Sequence, residues 1–301
     1  MERRSPTNRS PKLKLHFFTV NFIFLEKLDI IIIEREGKNM KKYFVFSDVH
    51  GCYTPLIQEL EAKGFDVNNP EHILISCGDM FDRGDEVKEL INFIKSLPTE
   101  RRILIRGNHE HLLIDMINKG YAATYDVVNG TLNTILQLAN STEEEFYHDP
   151  QKVILKARAS GIEDWILSKE WIDYAEIDNY IFVHSFVPVL YWDGSVAAKI
   201  DYYDSNVEEL TYNPDWRFAH HDEWKKCSWG NPLKFYKAGL FNEDKYLVTG
   251  HWHALNLHRI LGEDATNNTV FYNKFIGLDA NTFVSDKVNV LVLNENDMKG
   301  D

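Results

Sequence analysis

From residue 43 onward, short apolar runs keep stopping at turns that carry a carboxylate, an amide or an imidazole. Tyr43-Phe44-Val45-Phe46 stops at Ser47-Asp48, His72-Ile73-Leu74-Ile75 at Gly78-Asp79, and Ile103-Leu104-Ile105 at Gly107-Asn108-His109. Tyr180-Ile181-Phe182-Val183 stops at His184, and Tyr246-Leu247-Val248 at Gly250-His251. Runs of this length and purity read as strands buried on both faces, and amphipathic stretches separate them. Helices are expected over 54–63, 85–96 and 109–119 and within 131–170, which makes βαβ units of an α/β protein. In open α/β sheets the edge beyond the strand C-termini is where ligands bind, and nearly every chemically capable residue falls there.

After 254 the pattern changes to short strands, expected at Leu257–Leu261, Val270–Tyr272 and Val288–Leu293. Residues 191–245 place Trp192, Trp216, Trp224 and Trp229 among polar residues and read as an irregular, surface-built insertion. The 301 residues carry a formal charge of −13. That charge argues against a nucleic-acid partner, although bound metal ions can reverse the local field for a phosphorylated substrate. Three cysteines, Cys52, Cys77 and Cys227, offer neither a disulfide framework nor a CxxC zinc motif and suit a reducing, cytoplasmic setting.

The first 39 residues combine a basic start with an apolar run, Phe17 to Leu25, too short to span a bilayer and followed by no small-residue cleavage site. Met40-Lys41-Lys42 opens directly before the first strand. We expect residues 1–39 to be an extension outside the fold, upstream sequence read in frame, and 40–301 to be a single catalytic domain without a membrane segment.

Asp48-x-His50-Gly51, Gly78-Asp79-x-x-Asp82-Arg83-Gly84 and Arg106-Gly107-Asn108-His109-Glu110 follow one another in order, and His184 and His251-Trp252-His253 come after them. Singly, each is an ordinary turn. Together their carboxylate, amide and imidazole donors suit two divalent ions, with manganese, iron, zinc or nickel as candidates and manganese first. Asp79 has two oxygens and can bridge two ions, with Asp48 and His50 on one side and Asn108, His184 and His251 on the other. Such a pair clamps the attacking and leaving oxygens of an in-line displacement and lowers the pKa of bound water.

The pattern resembles the calcineurin-like metallophosphoesterases, and within them the phosphoprotein phosphatase group in its bacterial form. Gly-Asp-x-x-Asp-Arg-Gly stands intact at 78–84 and apolar-Arg-Gly-Asn-His-Glu at 105–110; Ser47 replaces the first glycine of Gly-Asp-x-His-Gly. The resemblance implies a β-sandwich of mixed sheets flanked by helices. It implies a first ion on Asp48, His50 and Asp79, a second on Asp79, Asn108, His184 and His251, and a bridging hydroxide attacking phosphorus. His109, held by Asp82, would protonate the leaving oxygen, and Arg83 would grip the phosphate. Arg106 would touch phosphate or brace the site against Glu110, and Asn108 would also face the substrate. Gly277-Leu278-Asp279 looks like the family's last turn on the site side.

Departures fall beside the substrate. Ser185-Phe186 follows His184 where small residues are usual, which narrows that wall. The usual Gly-His-Thr is Gly-His-Trp-His, so His253 becomes a seventh candidate ligand. Arg217 is the only arginine in 205–240, where eukaryotic members supply another phosphate-binding one. Asn129-Gly130-Thr131 with Thr134 resembles an element of bacterial members, and a helix N-terminus explains it nearly as well. The first expectation is a serine/threonine protein phosphatase, because glutamate follows Asn-His at Glu110. The alternative is a dinucleoside polyphosphate hydrolase or nucleotide phosphodiesterase, toward which Gly250-His251-Trp252 leans. An inactive scaffold is a distant third, since the full set of site residues is present. Oligomeric state is not legible.

Overall fold

The computed structural model describes residues 40–197 and 206–299, so the expectation for residues 1–39 lies outside the described residues. Its strands are β1 (Lys42–Phe46), β2 (His72–Ser76), β3 (Arg102–Ile105), β4 (Trp171–Ile172), β5 (Tyr174–Ile177), β6 (Tyr180–Val183), β7 (Leu190–Tyr191), β8 (Leu210–Thr211), β9 (Tyr246–Thr249), β10 (Val270–Tyr272), β11 (Phe275–Gly277) and β12 (Leu291–Asn294). One five-stranded sheet has the order β12-β1-β2-β3-β4, and a second has β10-β11-β9-β6-β5. Strands β1 to β4 run parallel with β12 antiparallel at the edge; β11, β9 and β6 run parallel between antiparallel β10 and β5. The short strands β7 and β8 form a separate ribbon.

Side-chain alternation along each strand splits the apolar residues between two layers. Tyr43, Val45, Ile73, Ile75 and Ile105 of the first sheet pack with Tyr180, Phe182, Val248 and Ile276 of the second, which is the interior of a sandwich. Their strand neighbours Phe44, Phe46, Leu74 and Leu104 face outward into a helical layer, while Ile181, Val183 and Leu247 face an outer core on the other side. Both faces of both sheets are therefore covered, which is why the runs are almost continuously apolar. The fold is the mixed two-sheet α/β sandwich flanked by helices that the resemblance implied.

Helices α1 (Tyr53–Ala62), α2 (Val87–Ser96) and α3 (Asn108–Lys119) each follow a strand-end turn, close to the expected spans. The stretch 131–170 holds several short helices after α4 (Thr124–Val128), beginning with α5 (Thr131–Ala139). Two expectations fail. Leu257–Leu261 is not a strand but part of the helix Ala254–Leu261, whose buried Ala254 and Leu257 lie three residues apart and whose C-cap Gly262 is left-handed. The closing strand begins at Leu291 rather than Val288, because Val288 and Val290 pack into the helical core before β12 starts.

The insertion is less superficial than its composition suggests. Trp216 is fully buried and stacks edge-on with Tyr174 and Trp224 in the outer core, and only Trp192 of the four tryptophans is largely exposed. No helix among the described residues is long and apolar enough to cross a membrane. Cys52, Cys77 and Cys227 are free thiols, and burial pushes all three above the ordinary range, so they pack rather than react.

Candidate active site

Parallel strands β1, β2 and β3 of one sheet and β6, β9 and β11 of the other deliver Asp48, His50, Asp79, Asn108, His184, His251 and Asp279 to one edge, where all are nearly fully buried. The turns that carry them are strained. Asp48, His50, Asp79, Asp82, Arg83 and His251 all take positive φ between 47° and 72°. Such residues cost about 1–3 kcal/mol each and persist where the surroundings over-determine them. Close backbone approach does that here: a Cβ on Gly107 would lie 2.1 Å from Asp79 Oδ1, and one on Gly250 2.0 Å from Asp48 Oδ2.

Glu110 ties two of these turns together. One carboxylate oxygen accepts from the Asp79 and Gly107 N–H groups (2.9 and 2.6 Å), and the other accepts from the Met80 N–H (2.9 Å). Burial still pushes its carboxyl up to about 7. Arg106 does not pair with Glu110. Its guanidinium binds Asp173 (3.0 Å) and the carbonyls of Ile166, Ser168 and Trp171, so it braces neighbouring loops and is already engaged. Arg217 is likewise engaged, in a double pairing with Glu176 and Glu243.

The imidazoles are held in one tautomer. His50 Nδ1–H donates to the Phe81 carbonyl (3.0 Å) and His184 Nδ1–H to the Cys77 carbonyl (2.9 Å), which leaves each Nε2 lone pair facing inward. Burial holds His50 and His251 well below the ordinary histidine range and His184 down to about 3, so all three are neutral, the form that ligates metal. Asp79 Oδ2 lies between them, 3.4 Å from His184 Nε2 and 3.9 Å from both His50 Nε2 and His109 Nε2. Asn108 Oδ1 stands 2.8 Å from the His184 lone pair, two acceptors face to face.

Two donor groups result, His50–Asp79–His109 and Asp79–His184–His251, each with its candidate ligating atoms within 4.8 Å of one another. Asp79 belongs to both. Burial, with repulsion from Asp279 on Asp48 and from Asp48 on Asp79, pushes both carboxyls well above the usual range, a penalty that divalent charge would relieve. This donor set fits two divalent ions sharing Asp79. Asp48 and His253 lie outside the two tight groups. Asp48 Oδ2 accepts from Ser47 Oγ (2.5 Å) and the His251 N–H (2.9 Å), while His253, part-exposed, ends the turn and faces Asp279 at 3.9 Å.

Beside these groups, His109 Nδ1–H donates to Asp82 Oδ2 (2.7 Å), which turns Nε2 toward Arg83. The Arg83 guanidinium donates to His50 Nε2 (2.9 Å) and His109 Nε2 (3.3 Å). The role of α5 was not read from sequence. Thr131 Oγ1 donates to Asp82 Oδ2 (2.7 Å) and Thr134 Oγ1 to Asp82 Oδ1 (3.0 Å), while the Asp82 N–H donates back to Thr134 (2.9 Å). Gly130 is left-handed at φ +85°, and a Cβ there would lie 2.3 Å from Arg83 N. The Asn-Gly-Thr-x-x-Thr signal thus marks a clamp on the Asp82–His109 pair as well as a helix start. On the far wall, Ser185 donates to the Gly230 carbonyl and Phe186 packs edge-on against Phe235; both line a small cleft beside His184.

Comparison with known proteins agrees with this geometry. The family description "Calcineurin-like phosphoesterase" matches residues 41–255. The symmetrical bis(5'-nucleosyl)-tetraphosphatase of Legionella pneumophila (strain Corby) is 41% identical over 205 residues, covering 68% of this chain and 63% of that protein. The protein of the same name from Marinomonas sp. is 29% identical over 159 residues, covering 52% and 48%. Serine/threonine-protein phosphatase 1 of Salmonella typhimurium is 32% identical over 80 residues, covering 27% and 35%. The chain thus spans less than two thirds of each of these relatives. With the family description covering most of the chain, and the strand-end donors assembled on one edge, the chain belongs to the calcineurin-like phosphoesterases.

Proposed function

We propose that this chain is a metal-dependent phosphoester hydrolase that cleaves the phosphoanhydride chain of dinucleoside polyphosphates. The observation that carries the substrate is the 41% identity over 205 residues to a bis(5'-nucleosyl)-tetraphosphatase. This reverses the order of the expectations from sequence, which put protein phosphatase first on the strength of Glu110. The carboxylate of Glu110 is taken up by three backbone N–H groups, a structural duty that says nothing about substrate. Gly250-His251-Trp252 already leaned toward the nucleotide reading.

In this reading Asp48, His50 and Asp79 would hold one ion, and Asp79, Asn108, His184 and His251 the other, with manganese the first candidate. Two ions bound there supply Lewis acidity and water of lowered pKa. His109, oriented through Nδ1 by Asp82, would give the leaving phosphate oxygen a proton from Nε2 once that nitrogen is protonated and Arg83 has turned from it to the phosphate. Arg83 offers a planar fork to the equatorial phosphate oxygens. Arg106 is bonded to Asp173 and three loop carbonyls and is given no substrate contact in this reading.

The protein-phosphatase reading keeps one supporting observation, the 32% identity over 80 residues to the Salmonella phosphatase. Assaying diadenosine tetraphosphate beside a phosphoserine peptide decides between them. Our reading expects the dinucleotide to be preferred in kcat/KM by at least about tenfold, and preference for the peptide would refute it.

A further inference from the structure

Five carboxylates are buried on the ligand-binding edge: Asp48, Asp79, Asp82, Glu110 and Asp279. Both oxygens of Asp82 and of Glu110 accept hydrogen bonds. The other three each keep one oxygen to which none of the described residues donates. Asp48 is bonded only through Oδ2, Asp79 only through Oδ1, and Asp279 only through Oδ1, which accepts from the Asn281 N–H (2.7 Å). Asp48 and Asp79 have a use in the metal centre proposed above. Asp279 has none. Asp279 is only 2% exposed, and its second oxygen is left to face a neighbouring group rather than a donor that already holds it.

Its surroundings name the partner. The Asp279 carbonyl accepts the Ala254 N–H (2.7 Å), and the Leu278 N–H donates to Thr249 (2.8 Å), so the Asp279 turn and the turn 250–254 are framed as one unit. Within that unit Asp279 Oδ2 faces His253 Nε2 at 3.9 Å. His253 stands two residues from His251, whose N–H is bonded to Asp48.

We propose that Asp279 is a positioning residue for His253, holding the imidazole on the Asp48 side of the metal centre as Asp82 holds His109 beside it. With Nε2 turned to a carboxylate, Nδ1 is the nitrogen left for a ligand. A carboxylate behind an imidazole fixes its ring and raises its basicity toward metal. The inference rests on the metal-centre reading, though not on the identity of the substrate.

The test uses the full chain, calorimetric titration with Mn²⁺, and hydrolysis of p-nitrophenyl phosphate. Asp279→Asn and His253→Ala are each expected to weaken Mn²⁺ binding at one of two sites and to lower kcat by about 10–100-fold. The double variant should be no worse than either single one, and Asp279→Glu should recover most of the loss. Multiplying losses in the double variant would overturn the pairing, as would an Asp279→Asn protein within twofold of the parent in both readouts. Should Asp279→Asn fail to fold, Asp279→Glu decides instead: its effect must vanish in the His253→Ala background, and persistence there overturns the proposal. A parent protein that takes up no Mn²⁺ removes the metal-centre reading itself, and the pairing with it.

Discussion

Replacing Thr131 by valine tests whether α5 works as a clamp on the leaving-group machinery. The side chain keeps its shape and loses one hydroxyl, which donates to Asp82 Oδ2 at 2.7 Å, the same oxygen that accepts from His109 Nδ1. Asp82 is fully buried, so no water replaces the lost donor. Hydrogen bonds to charged groups are worth about 1.5–3 kcal/mol, and that range is the expected loss of stability in urea unfolding. If the whole loss is felt in the transition state, the ceiling on kcat is about 10–100-fold, at 1.36 kcal/mol per decade. The informative readout is how the loss depends on the leaving group. p-Nitrophenolate departs with little help from an acid, whereas phenolate needs one, so Thr131→Val should slow phenyl phosphate several-fold more than p-nitrophenyl phosphate. Equal slowing of both substrates, or lost stability with unchanged kcat, would refute the reasoning.

Other expectations follow from the same contacts. Gly107→Ala brings a Cβ to 2.6 Å from the Asp79 backbone N and 2.1 Å from Oδ1; it changes no donor yet should weaken Mn²⁺ binding at least about tenfold, measured by calorimetry. Arg217→Gln should leave kcat/KM within about twofold, since Arg217 is spent on Glu176 and Glu243 and stacks on Trp216. It should, however, alter acid stability. The Arg217 hydrogen bond is the main cause holding the Glu243 carboxyl down at about 2, below its ordinary 4.5. That contribution is present above pH 4.5 and fades as pH falls toward 2. Urea midpoints of parent and variant should therefore converge over that window, and a gap that stays constant would contradict the pairing.

Much of the fold was legible because strands buried on both faces leave runs with few interpretations, and because each run ends on a residue that has no place in a core. The misread segments share a cause. Ala254-Leu-Asn-Leu-His-Arg-Ile-Leu261 is short enough for strand and helix periods to compete, and the turn that fixes it, through the Ala254 N–H and the Asp279 carbonyl, joins residues 25 apart in sequence. Buried tryptophans in 191–245 looked superficial because their neighbours are polar, and only the tertiary pairing of Tyr174 with Trp216 and Trp224 shows otherwise. In the site, ligand types came through as motifs. The expected Arg106–Glu110 brace does not form because Asp173, which the sequence cannot place, takes the guanidinium instead. Asp279 was seen as the end of a turn, and its open oxygen is visible only once β11 lies beside β9.

Metal content of Asp79→Asn measures the shared bridge most directly. Asp79 is the one residue common to both donor groups, and its Oδ2 lies between the imidazoles of both. A dinuclear centre built on it predicts two Mn²⁺ per chain in the parent and a large loss of both in the variant, with the fold intact by circular dichroism. A variant that keeps one ion at parental affinity, or both, would contradict the bridge.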